Sequence, residues 1–181
     1  MNTNKNTKAK LIDDNIELCR VMPKHANNLL MLIDENRTRL RAWLPWLDRT
    51  RTVDDIKMFI KRTKKDNEIH HVIFKNKELV GIIGLHHINH DHRKAVIGYW
   101  LSKNAEGQGT MTRAVRLVLQ YAFNKLKLHR VVIDCAVGNT KSCAIPERLG
   151  FKKEGEMRDA EWLYDYFVNL KRYSMLENEF K

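Results

Sequence analysis

The run Glu106-Gly107-Gln108-Gly109-Thr110-Met111-Thr112 joins two glycines to the opening of a strongly patterned helix. Glycine lets the chain turn tightly and bring its backbone close to a ligand. The unpaired N–H groups of the helix's first turn then face that ligand, and the helix dipole favours an anion there. A pyrophosphate suits such a cradle. The run lacks the Gly-Lys-Ser/Thr of a Walker loop and the spacing of a GxGxxG dinucleotide fingerprint. Standing alone, Gly-x-Gly also describes an ordinary turn, so the surrounding elements decide its meaning.

Other polar residues have plain readings beside chemical ones. Asn139 sits between a strand-like run and a short helix, where asparagine is a favoured N-cap, and Ser142 falls in that helix's first turn. Glu161, in Ala160-Glu161-Trp162-Leu163, reads as a loop carboxylate, a type most often solvated. Trp43 and Trp46 flank a proline, and aromatics of this size usually belong at least partly to a core. His86, His87, His90 and His92 straddle a turn, where alternation sends neighbours to opposite faces. Zinc needs three or four convergent ligands, so no metal site is expected from them. Cys19, Cys135 and Cys143 fit neither a disulfide framework nor a zinc pattern. Cys135 alternates with Val131, Ile133 and Val137, which predicts a buried structural thiol.

The elements that position these residues are legible as periodicity. Residues 15–21 alternate as a first strand, and Pro23 opens a helix with Ala26, Leu29, Leu30 and Ile33 inward. A second helix runs from about Val53 to Thr63, burying Val53, Ile56, Phe59 and Ile60. From Glu68 the period becomes two: residues 69–74, 78–86 and 95–101 are strands, with hairpin turns at Asn76-Lys77 and Asn89-His90-Asp91. Residues 110–126 form the clearest helix, with Met111, Val115, Val118, Leu119, Ala122 and Leu126 on one face. A strand at 130–137, a short helix at 140–149 ended by Gly150, and strands near 151–157 and 166–176 complete the order. Pro146 removes the N–H that would bond back to Ser142, so that helix is expected to be short or kinked. The fold class is α+β: a mixed, mostly antiparallel twisted sheet of about seven strands, about four helices, and one parallel crossover through the long helix. Residues 1–10 read as a disordered basic tail and 11–181 as a single domain.

The 181-residue chain carries a formal net charge of +11, with 43% hydrophobic and 30% charged residues. This is a soluble globular composition whose excess charge steers anions such as coenzyme A, phosphates, acidic proteins or nucleic acid. The basic residues are spread rather than blocked, which speaks against nucleic acid. No apolar run approaches the roughly 18 residues of a membrane span. The N-terminus lacks the apolar stretch of a signal peptide, so a cytoplasmic location is the default expectation.

The motifs acquire a joint meaning in their order. Ala95-Val96-Ile97-Gly98-Tyr99-Trp100-Leu101 followed by the glycine loop resembles motif A of the GNAT acetyltransferases. Asn139-Thr140-Lys141-Ser142 leading to Glu147-Arg148-Leu149-Gly150-Phe151 resembles their motif B. The Leu40 to Leu47 segment with its two tryptophans, and the ending from Phe167-Val168-Asn169-Leu170 to Tyr173-Ser174, are similar to the RimJ/RimL branch, which acetylates ribosomal-protein N-termini. The resemblance covers roughly residues 15–178. Glu106 and Met111 depart from the family's usual Gln/Arg and Gly/Ala, which bears on how closely a pyrophosphate seats.

The resemblance implies a GNAT fold with the sheet splayed between strands 95–101 and 130–137 and acetyl-CoA in the splay. It implies pantetheine amides on the backbone of Gly98, Tyr99, Trp100 and Leu101, and the pyrophosphate on Gln108, Gly109, Thr110, Met111 and Thr112. Asn139 would then lie near the pantetheine, Ser142 would protonate the departing thiolate, Glu161 would be the general base, and Trp43 and Trp46 would wall the acceptor. The implied reaction is direct attack of a primary amine on the thioester in a ternary complex, without metal, in a homodimer. An α-amine of pKa near 8 is about a tenth neutral at pH 7, and a lysine near 10.4 on the order of a thousandth. An N-terminal acceptor therefore asks less of the base. Acetylation of a polyamine or aminoglycoside, and a non-catalytic CoA sensor, are the alternatives; a polycationic acceptor suits an acidic cleft better than a basic chain.

Overall fold

The computed structural model describes residues 11–63 and 67–181, so the tail expected over residues 1–10 lies outside the described residues. In chain order the elements are β1 (Leu11–Asp13), β2 (Ile16–Arg20), α1 (Ala26–Arg41), α2 (Val53–Thr63), β3 (Ile69–Lys75), β4 (Glu78–Asn89), β5 (Lys94–Leu101), α3 (Thr110–Asn124), β6 (Arg130–Ala136), α4 (Thr140–Arg148), β7 (Lys152–Leu163) and β8 (Tyr166–Leu176). Among the described residues no helix is long and apolar enough to cross a membrane.

Among the described residues the sheet has eight strands, in the order β1-β2-β3-β4-β5-β6-β8-β7. The expected seven missed β1, a three-residue strand folded back on β2 through Asp14, whose φ is +46°. Strand β7 also continues to Leu163 rather than stopping near residue 157, interrupted by bulges that break its alternation. The β3–β4 hairpin turns through Asn76 and Lys77, with φ of +50° and +70°, the positive pair of a type I′ turn.

Both faces of the sheet are covered, so the inner strands are apolar on both sides. On one face Ile73, Ile83, Ile97 and Ile133 pack against Val115, Val118 and Leu119 of α3. On the other, Val72, Ile82 and Trp100 pack against Leu29 and Ile33 of α1 and Ile56 and Ile60 of α2. Each such side chain contributes about 1.5–3 kcal/mol when fully buried.

One junction differs from the rest. β5 and β6 are parallel and pair only at Lys94↔Arg130, Ala95↔Val131 and Val96↔Val132. Beyond Val96, β5 stays on β4 as far as Leu101, and β6 stays on β8 as far as Ala136. Each strand is held by its other neighbour, so the two diverge into a fork.

Candidate active site

The mouth of the fork is the loop between β5 and α3. Gly107 and Gly109 have φ of +72° and +70°, a region in which side chains are strained, and nothing lies within 4 Å of a Cβ built on either. The glycines answer a backbone need rather than crowding. Gly109 precedes α3 without a side-chain cap, which leaves first-turn N–H groups open. The Thr110 hydroxyl in that turn is buried and has no hydrogen-bond partner among the described residues. Lys75 Nζ meets Gln108 Oε1, and an Arg148 guanidinium nitrogen lies 3.4 Å from Thr112 Oγ1. A buried hydroxyl without a partner, open N–H groups and flanking cations fit a phosphate-bearing ligand.

The two departures from the family pattern resolve differently. Met111 is buried in the core beneath α3. Glu106 accepts hydrogen bonds from Arg39 Nη1 at 2.5 Å and Lys141 Nζ at 2.7 Å. Partial burial pushes its pKa up, but these two cations outweigh that and hold it below the usual range.

Inside the fork, on the α3 side, Tyr99 faces Ser142. Asn139 caps α4, its Oδ1 accepting from Ser142 N at 3.2 Å, as its sequence position predicts. Pro146 lies within α4, so the Ser142 carbonyl has no helical donor four residues on. The Tyr99 hydroxyl donates to that carbonyl at 3.1 Å. Ser142 Oγ then lies 3.3 Å from Tyr99 Oη and 3.5 Å from Cys135 Sγ. Burial raises the Tyr99 pKa and pushes the Cys135 thiol up to about 12, so both stay protonated near neutrality. Cys135 is buried, as its alternation predicts. The hydroxyl of Tyr99 and its link to Ser142 were not legible in the sequence, where Tyr99 entered only through its backbone.

The opposite face of the fork carries a group that the sequence reading missed. Of the four histidines near the turn, His86 joins Glu68 and His70. Glu68 Oε2 lies 2.7 Å from His70 Nε2, and Oε1 lies 3.7 Å from His86 Nδ1. The three donor atoms fall within 4.8 Å of one another. A Cβ on Gly84 would sit 2.4 Å from His70 Nδ1, and one on Gly98 2.9 Å from His86 Nε2, so these glycines make room for the imidazoles. Burial lowers the His70 pKa to about 4 and lowers that of His86, leaving both rings neutral near pH 7.

The outer rim is aromatic. The Trp43 ring covers Gly138, whose Cβ would lie 3.1 Å from Trp43 Cη2. Trp43 is half-buried, whereas Trp46, in the short turn Pro45–Arg49, is 42% exposed. The Tyr164 hydroxyl donates to the Arg41 carbonyl at 2.6 Å, and the Arg41 guanidinium stands 4.5 Å from the Tyr164 ring centre. This ties the β7–β8 hairpin to the end of α1. Trp162 and Phe167 pair edge to face at 4.6 Å on that hairpin, both exposed. Glu161 is not a loop residue: it follows a bulge in β7 and pairs with Val168. It is half-buried, and desolvation raises its pKa.

A mixed sheet forked between two parallel strands, with an uncapped helix N-terminus at the mouth, is the frame of an acyl-CoA-dependent acyltransferase. The pattern described as "Acetyltransferase (GNAT) domain" matches residues 15–152, and the chain belongs to that family. It is an N-acetyltransferase with acetyl-CoA as co-substrate. The chain is 38% identical over 175 residues to the putative ribosomal N-acetyltransferase YdaF of Bacillus subtilis, covering 94% of this chain and 96% of that one. It is 30% identical over 173 residues to the ribosomal-protein-serine acetyltransferase of Escherichia coli, covering 91% and 94%. Among solved structures, the microcin C7 self-immunity acetyltransferase MccE in complex with acetyl-CoA and AMP is 30% identical, with a TM-score of 0.86 over 91% of this chain and 93% of that one.

Proposed function

We propose that this enzyme acetylates the N-terminal α-amine of a ribosomal protein, using acetyl-CoA held in the β5–β6 fork. The observation that carries this reading is the end of the β5–β6 ladder at Val96↔Val132, with the open N-terminus of α3 at the mouth. In this reading the pyrophosphate rests on the N–H groups from Gln108 through Gly109, Thr110 and Met111 to Thr112. The pantetheine arm runs inward along the open edge of Leu101, Trp100, Tyr99 and Gly98 as an added strand. The thioester therefore comes to the closed end of the fork.

The amine attacks the thioester carbonyl, and collapse of the tetrahedral adduct breaks the C–S bond. Ser142, backed by Tyr99, returns a proton to the sulfur; Asn139 holds Ser142 by capping its helix. Glu161 takes a proton from the incoming ammonium, and its desolvated carboxylate is the better base for it. Trp43 and Trp46 flank the acceptor chain. The ribosomal acceptor is supported by the names of the relatives and by the modest demand of an α-amine on its base. A homodimer and a cytoplasmic setting belong to the same reading, and light scattering checks the first.

The test offers acetyl-CoA with ribosomal-protein N-terminal peptides beginning Ser or Ala, the same peptides with a blocked N-terminus and an internal lysine, and spermidine. Mass spectrometry should find acetyl only on the free α-amine. Acetylation of spermidine alone would overturn the acceptor assignment and leave the chemistry standing.

A further inference from the structure

We propose that His86 is a second proton acceptor in the reaction, taking the proton that the attacking nitrogen sheds once the C–N bond has formed, with Glu68 as its positioning residue. This rests on the acetyl-transfer reading given above. The proton count leaves a place for it. An alkylammonium and an acetyl thioester become an amide, a thiol and one free proton. The nitrogen loses two protons and the sulfur gains one: Glu161 takes the first, His86 takes the second, Ser142 protonates the sulfur, and exchange with water returns a proton to Ser142 and removes those on Glu161 and His86, for a net release of one. Glu161 takes the first proton, before attack. The second leaves a nitrogen already bonded to the thioester carbon, at the closed end of the fork.

His86 stands at that end. It pairs with Val96, the last β5 residue on the β6 ladder, and its ring leans over Gly98, where the free edge begins. Alternation puts Gly98 and Tyr99 on opposite faces of β5. His86 thus lies on the α1–α2 face while Tyr99 and Ser142 occupy the α3–α4 face, so acceptor and donor flank the reacting carbon without competing. Glu68 faces Nδ1 at 3.7 Å, within ion-pair reach of a protonated ring, and leaves Nε2 towards Gly98. A carboxylate on one ring nitrogen, with no hydrogen-bond partner on the other among the described residues, is the arrangement that orients a histidine base and stabilises the imidazolium it becomes. The other titratable and charged groups facing this pair are His87 beside His86, His70 and Arg62 against Glu68, and Arg20 against His70. Burial keeps the resting ring neutral, ready to accept.

The experiment compares wild type, His86→Gln, His86→Ala and Glu68→Gln for acetyl-CoA affinity by calorimetry and for kcat against pH with an N-terminal peptide. His86→Gln should keep acetyl-CoA affinity, lose about 10²–10⁴ in kcat, and lose one ionisation from the acidic limb. Added imidazole should restore part of the His86→Ala rate. Glu68→Gln should move the acidic limb to lower pH, because the imidazolium loses its carboxylate; a merely structural Glu68 would not move it. A folded His86→Gln that binds acetyl-CoA and keeps wild-type kcat and both limbs overturns the proposal while leaving the acetyltransferase reading intact. Turnover lost on chelation and restored by Zn²⁺ would overturn it too, assigning the three donors to a metal ion. A wild type that acetylates no amine removes the underlying reading, and this inference with it.

Discussion

The Tyr99 hydroxyl donates at 3.1 Å to the Ser142 carbonyl, the acceptor that Pro146 leaves without a helical donor. A proline inside a helix usually costs about 3 kcal/mol. Here its missing N–H lets a strand residue reach across the fork and fix the serine. Pro146→Ala restores a competing N–H, so kcat should fall several-fold with acetyl-CoA affinity unchanged. Tyr99→Phe should do the same, and the double variant should be no worse than the poorer single one, because both act through one contact. Stopped-flow thiol release and calorimetry read the two quantities; full additivity would separate the residues.

Gly138 gives Trp43 its position at the rim. Gly138→Val puts a branched side chain where only 3.1 Å separates the new Cβ from Cη2 of the indole. The ring must shift, so the KM for a peptide acceptor should rise while acetyl-CoA affinity holds. An unchanged peptide KM would remove Trp43 from the acceptor wall.

Glu161 links activity to stability with opposite signs. Its folded pKa is raised by desolvation, so the folded state binds its proton more tightly than the unfolded state does. Stability therefore falls as pH climbs from the unfolded pKa through the folded one, and stays lower above it. Glu161→Gln should thus raise Tm near pH 7.5 while lowering kcat by about 10²–10⁴. Thermal melts at several pH values check the first, and the difference in Tm should vanish in acid. A Gln variant that loses stability at neutral pH contradicts the assigned environment.

Lys141 and Arg39 approach Glu106 from α4 and α1, one cation from each side of the fork's mouth. The Lys141 side chain is 71% exposed, so its pair contributes no more than about 1 kcal/mol. Glu106 also pairs with the partly buried Arg39, and its lowered pKa adds stability at neutral pH, so Glu106→Gln should lower Tm modestly and speed acetyl-CoA release, with a smaller salt dependence of that rate. Unaltered release kinetics would mean the pair does not span the ligand's path.

Much of this arrangement was written in local pattern. The apolar periodicity of α3, the strands β3, β4 and β5, the Asn76-Lys77 turn and the asparagine cap each depend on neighbours close in sequence, and each is found, although β3 and β4 are buried on both faces rather than alternating. The full length of strand β7 is not legible in the sequence because its edge position leaves it polar and its bulges break the period, and Glu161 lies beyond those bulges. The grouping of Glu68, His70 and His86 depends on the β3–β4 register, and the Tyr99–Ser142 contact on how α4 crosses the fork. Neither follows from spacing along the chain. The histidines at the turn are dense in sequence, yet among the described residues it is His86, of these four, that joins such a group, with partners from the start of β3.

The most direct test of the account is acetyl-CoA titration by calorimetry, followed in the same sample by thiol release with a Ser-initiated ribosomal peptide. Saturable one-to-one binding is expected, with thiol release that stops when the peptide's N-terminus is blocked. Absence of acetyl-CoA binding would contradict the fork as a cofactor site, and binding with no release to any amine would contradict the enzyme.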